Sequence, residues 1–258
     1  KIYDKAKKED VNLVNIPIRH LGTEKSHELY GRIEKYITDN GVDILFDTTV
    51  SDLVVEENEI KGVKIRPAKY AEDEEYNKDE ILTADKVVLA VGRDGAKWLG
   101  DECRKHKIHM TNNQVDVGVR VETNDIIMEE INTHLYEGKF IFRSSCGTTV
   151  RTFCSNPSGH VVVENHSGIM LANGHAYSDP KLGSKNTNFA LLVSHKFSEP
   201  FDKPNDYAYD VSRLANQLSI GSVIVQRYGD LARGRRTTKK RLDEGFVKPT
   251  LKEAVPGD

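Results

Sequence analysis

The sequence predicts an α/β protein with α+β character, in which a helix-and-strand module is followed by a mostly antiparallel β module carrying helices. Three observations predict it: an amphipathic helical stripe near the amino end, a pair of β-branched runs split by a short polar turn, and a series of short strands beyond residue 115. At 258 residues and roughly 150 residues per domain, one large or two modest cores can form. The change of character after Gly92 divides the chain into residues 1–92 and 93–258.

Thr23 to Asn40 reads as a helix. Leu29, Ile33, Tyr36 and Ile37 fall at i, i+4, i+7 and i+8, so one face should be buried, and Gly41 supplies a left-handed stop. Asp43–Phe46, Thr49–Val55 and Ile60–Arg66 read as strands, the last two joined as a hairpin through Glu56-Glu57-Asn58-Glu59. Pro67 to Glu80, dense in acids with almost nothing to bury, reads as an exposed loop. The apolar run up to Val91, closed by Gly92, predicts a strand buried on both faces, as in the middle of a parallel sheet.

Ala96–His106 follows as a helix. Val115–Glu122, Lys139–Arg143, Thr149–Cys154 and His160–Glu164 then read as strands, with Asn156-Pro157-Ser158-Gly159 turning between the last two. Asp206–Ile220 is a second amphipathic helix, with Val211, Leu214, Ala215 and Leu218 on one stripe and Gly221 closing it.

Composition narrows the function classes. Hydrophobic residues at 38% and charged residues at 30% describe a folded globular protein. Balancing 37 basic against 40 acidic residues, a net charge of −3 gives no global attraction to nucleic acid or anionic membrane. No apolar stretch approaches the roughly 20 residues that span a bilayer. Cys103, Cys146 and Cys154, an odd set without a C-x-x-C pair, fit a reducing, cytoplasmic compartment. Cys146 and Cys154 read as small buried residues. A start at Lys1 without a signal-peptide core suggests an excised piece or a processed chain.

Several familiar motifs are missing. No G-x-G-x-x-G occurs, Gly229 and Gly234 are followed by Arg235-Arg236 where a P-loop needs Lys and Ser or Thr, and Ser178-Asp-Pro-Lys181 reads as a turn. His106-x-x-His109 and the loosely spaced His160, His166 and His175 read as surface or hydrogen-bonded histidines. No metal site and no nucleophile is expected. One basic tract stands out: Arg233, Arg235, Arg236, Lys239, Lys240 and Arg241 could neutralise phosphates of a nucleic acid or a phosphorylated cofactor. Without interleaved aromatics it is no single-strand stacking platform, and its alternative reading is a solvated loop.

The order of helix, strand, strand opening at Thr49-Val50, hairpin and Val87-Val88-Leu89-Ala90-Val91-Gly92 resembles the interior of a flavoprotein with two dinucleotide-binding domains. Gly92-Arg93-Asp94-Gly95-Ala96, Cys154-Ser-Asn-Pro157-Ser-Gly159-His-Val161-Val162 and Asn186-Thr-Asn-Phe-Ala190-Leu191-Leu192-Val193 follow in order. Gly229-Asp-Leu-Ala-Arg-Gly234-Arg-Arg comes after them. Together they resemble the bacterial FAD-dependent dehydrogenases, also called NAD(FAD)-utilising dehydrogenases, along essentially the whole chain.

The resemblance implies a partial FAD-binding domain over residues 1–92 and an inserted substrate domain over 93–258. It also implies a central fragment, lacking the amino-terminal Gly-rich fingerprint and the carboxy-terminal closing segment. In the intact protein NADH or NADPH would reduce FAD, and a small-molecule substrate would take the electrons. Val50 would present its backbone to the adenine edge, while Ala90 and Gly92, with Arg93 beside them, would let the nucleotide come close. Read without the family, Val50 is a core valine and Gly92 a turn glycine. A nucleic-acid or anion-binding module on Arg233–Arg241 is the alternative function, disfavoured by the acidic balance.

Overall fold

The computed structural model describes residues 1–16, 21–68, 79–135, 137–201 and 203–257. In chain order the elements are α1 (Ile2–Lys8), β1 (Val11–Ile16), α2 (Thr23–Asp39), β2 (Thr48–Glu56), β3 (Glu59–Pro67), β4 (Glu80–Thr83), α3 (Ala96–Lys105), β5 (Val115–Asn124), α4 (Asp125–His134) and β6 (Glu137–Arg143). Then come β7 (Thr149–Asn156), β8 (His160–His166), β9 (Ile169–His175), β10 (Asn186–His195), α5 (Pro204–Leu218), β11 (Ile224–Val225), α6 (Tyr228–Leu231), α7 (Lys239–Glu244) and β12 (Val255–Pro256). The fold is mixed α/β, with mostly antiparallel sheets and several helices.

The chain forms two compact units, one of residues Lys1–Leu29 with Asn112–Asp258, the other of Tyr30–Thr111. The division expected between residues 92 and 93 falls inside the second of these.

In the larger unit β1-β6-β7-β10-β5 form a five-stranded sheet, antiparallel throughout. The β8–β9 hairpin lies against β5, β7 and β10, and α5 packs on β9 and β5. Among its described residues the buried apolar side chains are few, Leu13, Leu135 and Val223, whereas Asn156, Asn186, Thr187 and Asn188 are all 5% exposed or less. Much of this interior is therefore closed by hydrogen bonds between polar side chains.

The smaller unit is built on the antiparallel meander β2-β3-β4. Its hairpin turn is the expected one, with Glu57 and Asn58 at φ +50 and +64, the left-handed pair that matches strand twist in a two-residue loop. At the other end of β2 the ladder pairs Val50 with Ile65 and Asp52 with Lys64, leaving Ser51 as a bulge. Trp98 Nε1 of α3 donates to the Ser51 carbonyl at 3.2 Å, which docks the helix on the bulge.

Several expectations need correction. Residues 86–91 form no strand, and Val88 is 90% exposed. A strand exists only by ladder pairing, and no described strand pairs with this run; its apolar composition alone does not create the partner. Asp43–Phe46 is likewise irregular, with Leu45 and Phe46 exposed. Helix α2 forms and ends before Gly41 as expected, but no residue of it is buried, and Ile33 and Tyr36 are 45% and 70% exposed. Cys146 is exposed rather than buried. Of the acidic loop, residues 69–78 lie outside the described residues. Among the described residues no helix is long and apolar enough to cross a membrane.

Candidate functional site

Val50, the third residue of β2, stands just before the bulge and is 37% exposed, so it is not a core valine. Ala90, Gly92 and Arg93 are exposed in the irregular segment that leads into α3. Gly92 has φ +64, and a side chain added there would meet nothing within 4 Å. It is a left-handed turn residue with open space above it, so both of its expected roles remain compatible with the geometry. The turn closes through Gly95 N–H to the Val91 carbonyl at 3.3 Å and Ala96 N–H to the Arg93 carbonyl at 3.2 Å. Trp98, one turn further on, ties this segment's helix to the residue after Val50.

The larger unit holds a second concentration of polar groups, between the β8–β9 hairpin and the sheet. Its geometry starts from a bulge in β7, where Cys154 takes φ +53. The Cys154 carbonyl accepts from Arg120 Nη1 at 3.0 Å and Asn156 Nδ2 at 2.8 Å. Arg120 Nη2 donates to Asn173 Oδ1 at 2.6 Å, and Asn173 Nδ2 donates to Glu164 Oε1 at 2.6 Å. His166 and His175 stand at 3.1 and 3.6 Å from the Glu164 carboxylate. Desolvation raises the Glu164 pKa, but the bonds from Asn173, His166 and His175 outweigh it and leave the carboxyl below its ordinary value. Burial pulls the Arg120 guanidinium down, against the attraction of Cys154 and Glu164.

Neighbouring carboxylates anchor the surrounding loops. Asp125 accepts from Ser158 Oγ at 2.7 Å and Thr187 Oγ1 at 2.6 Å, and Glu122 accepts from Thr250 Oγ1 at 2.6 Å and Asn186 Nδ2 at 2.9 Å. Beside the hairpin a cleft of about 520 Å³ is lined by His160, Val161, Met170, Tyr177, Thr250 and Leu251 among others. The sequence points to His160 and His166 as surface or hydrogen-bonded histidines, and both are hydrogen-bonded, to the Leu182 carbonyl and to Glu164; their Asn, Thr and Arg neighbours, at scattered positions, carry no spacing signal.

The basic tract is folded back on its own segment. Arg235 Nε donates to Asp230 Oδ1 at 2.7 Å, Arg233 Nη1 to the Gly229 carbonyl at 3.0 Å, and Arg241 Nη1 to the Arg236 carbonyl at 2.8 Å. Lys240 lies 3.8 Å from Glu244. A salt titration with labelled duplex DNA and RNA measures what charge is left for phosphates. Six contacts would give a log–log slope of about −5 on duplex and about −4 on single strands. The expected result is near-background binding; tight binding with that slope would make nucleic acid the partner.

Cys146 stands in the turn between β6 and β7, with Ser144 Oγ at 3.0 Å and Thr148 Oγ1 at 3.4 Å. These hydroxyls hold its pKa down to about 7.

No family model and no curated protein matches the chain.

Proposed function

We propose that the chain is part of an FAD-dependent oxidoreductase in which Val50, Ala90, Gly92 and Arg93 meet the nucleotide half of the cofactor. The observation that carries the reading is the open left-handed turn at Gly92, which leads into a helix anchored beside the bulge that follows Val50. A backbone turn without a side chain admits a planar ligand closely, and Val50 offers its edge at an accessible strand end. The residues fit that approach. For the pyrophosphate the sequence contains no G-x-G-x-x-G cradle, so the 258-residue chain alone should hold FAD weakly. Bound flavin supplies the redox chemistry, taking a hydride from NADH or NADPH and passing two electrons to a small-molecule substrate.

The full-length polypeptide containing these residues is expected to purify yellow and to bleach with NADH or NADPH. Gly92→Val should lower its flavin occupancy several-fold, with a smaller loss of thermal stability in the apo form. Gly92→Asn separates bulk from strain, since Asn tolerates positive φ. A colourless protein that takes up no FAD, or unchanged occupancy in both variants, would overturn the proposal.

A further inference from the structure

The smaller unit brings together three metal-ligating side chains that the sequence keeps far apart. Glu102 and His106 are one helical turn apart at the carboxyl end of α3, so both project from the same face. Asp52 follows the Ser51 bulge in β2, and Trp98 holds the helix to that bulge. One ligand atom from each of Asp52, Glu102 and His106 lies within 4.8 Å of the others.

Two polar atoms of these side chains are without a hydrogen-bond partner. Glu102 is 7% exposed, and its Oε2 has no hydrogen-bond partner; nor has His106 Nε2, which stands 3.5 Å from it. A buried carboxylate oxygen without a donor costs free energy. The spacing matters as well, because a tetrahedral ion with bonds of about 2.1 Å sets its ligands about 3.4 Å apart.

The cluster already attracts a cation. Lys105 Nζ is bonded to Asp52 and lies 3.6 Å from Glu102 Oε1, while Lys64 Nζ reaches the other Asp52 oxygen at 3.5 Å. The Lys105 ammonium leaves both orphan atoms unsatisfied. A divalent ion displacing it would meet all three side chains, at a helix carboxyl terminus where positive charge is favoured.

We propose that Asp52, Glu102 and His106 form a binding site for a zinc-class divalent cation that clamps α3 to the bulge of β2. One imidazole nitrogen and two carboxylate oxygens are the donor set of that class, with a fourth position left for water.

The test uses the full 258-residue chain, purified without chelators and titrated with zinc by calorimetry and with cobalt by visible absorption. One equivalent should bind, with the d–d spectrum of a low-coordinate cobalt site and an imidazole ligand. Glu102→Gln and His106→Gln should each weaken zinc binding by about 100-fold, since loss of even an outer-shell partner costs 10–100-fold. Lys105→Met, which removes the competing ammonium with its hydrogen bond to Asp52 and its ion pair to Glu102, should instead tighten it. This variant keeps every ligand, so it reports on the site even if a ligand variant fails to fold. No uptake by the wild type and Lys105→Met, or ligand variants that bind like the wild type, would overturn the site. Uptake weakened by neither ligand change would place zinc on other ligands and count against the site equally.

Discussion

Gly174→Ala is expected to destabilise the protein by about 3 kcal/mol or more. Gly174 lies in β9 where the hairpin meets the sheet, and a Cβ there would sit 2.0 Å from Asn188 Oδ1, 2.6 Å from Asn156 Nδ2 and 2.9 Å from Arg120 Cζ. All three atoms belong to side chains held by hydrogen bonds. Asn188 is fully buried and bonded to Asn156 at 3.3 Å, and Arg120 is bonded to Cys154 and Asn173. Relief of the clash must break a buried hydrogen bond or lift the hairpin. Urea denaturation of the two proteins measures the difference, and a loss under about 0.5 kcal/mol would show that the polar layer is soft.

The second large effect concerns Asp230, which is 1% exposed and accepts from Arg235 Nε at 2.7 Å and Thr237 Oγ1 at 3.0 Å. Desolvation raises its pKa, but Arg235 and Thr237 lower it more, so the folded carboxyl titrates below its ordinary value. The sign follows from linkage. A depressed pKa contributes stability that is present above the unfolded value of about 3.9 and is lost as pH falls through the folded one. Asp230→Asn should therefore lower the melting temperature by several degrees at neutral pH and flatten its acid dependence. The gap between the two proteins should close as the pH drops below about 4. A gap independent of pH would mean that the carboxylate acts by packing alone.

What could be read from the sequence was local. Helix α2, the β2–β3 hairpin, α3, β5 to β8 and α5 announce themselves through period and turn chemistry, and each forms within a residue or two of its expected limits. The strand expected before Gly92 shows where such reading stops. Continuous apolar composition states a preference for burial, but pairing is supplied by other segments, and no described strand pairs with 86–91. The opposite error hid β10, which opens on Asn186-Thr187-Asn188. These residues look like a loop by hydropathy, and two of them are 0% exposed because side-chain hydrogen bonds replace apolar contact. At the sites the same division holds. Glu102 and His106 lie at helical spacing in a readable helix, whereas Asp52 joins them only through a bulge that no local pattern marks.

The polar layer under the β8–β9 hairpin also determines how the larger unit can vary. Aliphatic layers slide and repack, since dispersion has little directional preference. A layer in which Arg120, Asn156, Asn173, Asn188 and Glu164 are linked by directional hydrogen bonds favours a single register. Shifting the hairpin by one residue would exchange the inward and outward faces of both strands and cancel the pairing at once. The hairpin is therefore keyed to its sheet much as a base is keyed to its complement. Changes at these five positions should be tolerated in matched sets rather than one at a time.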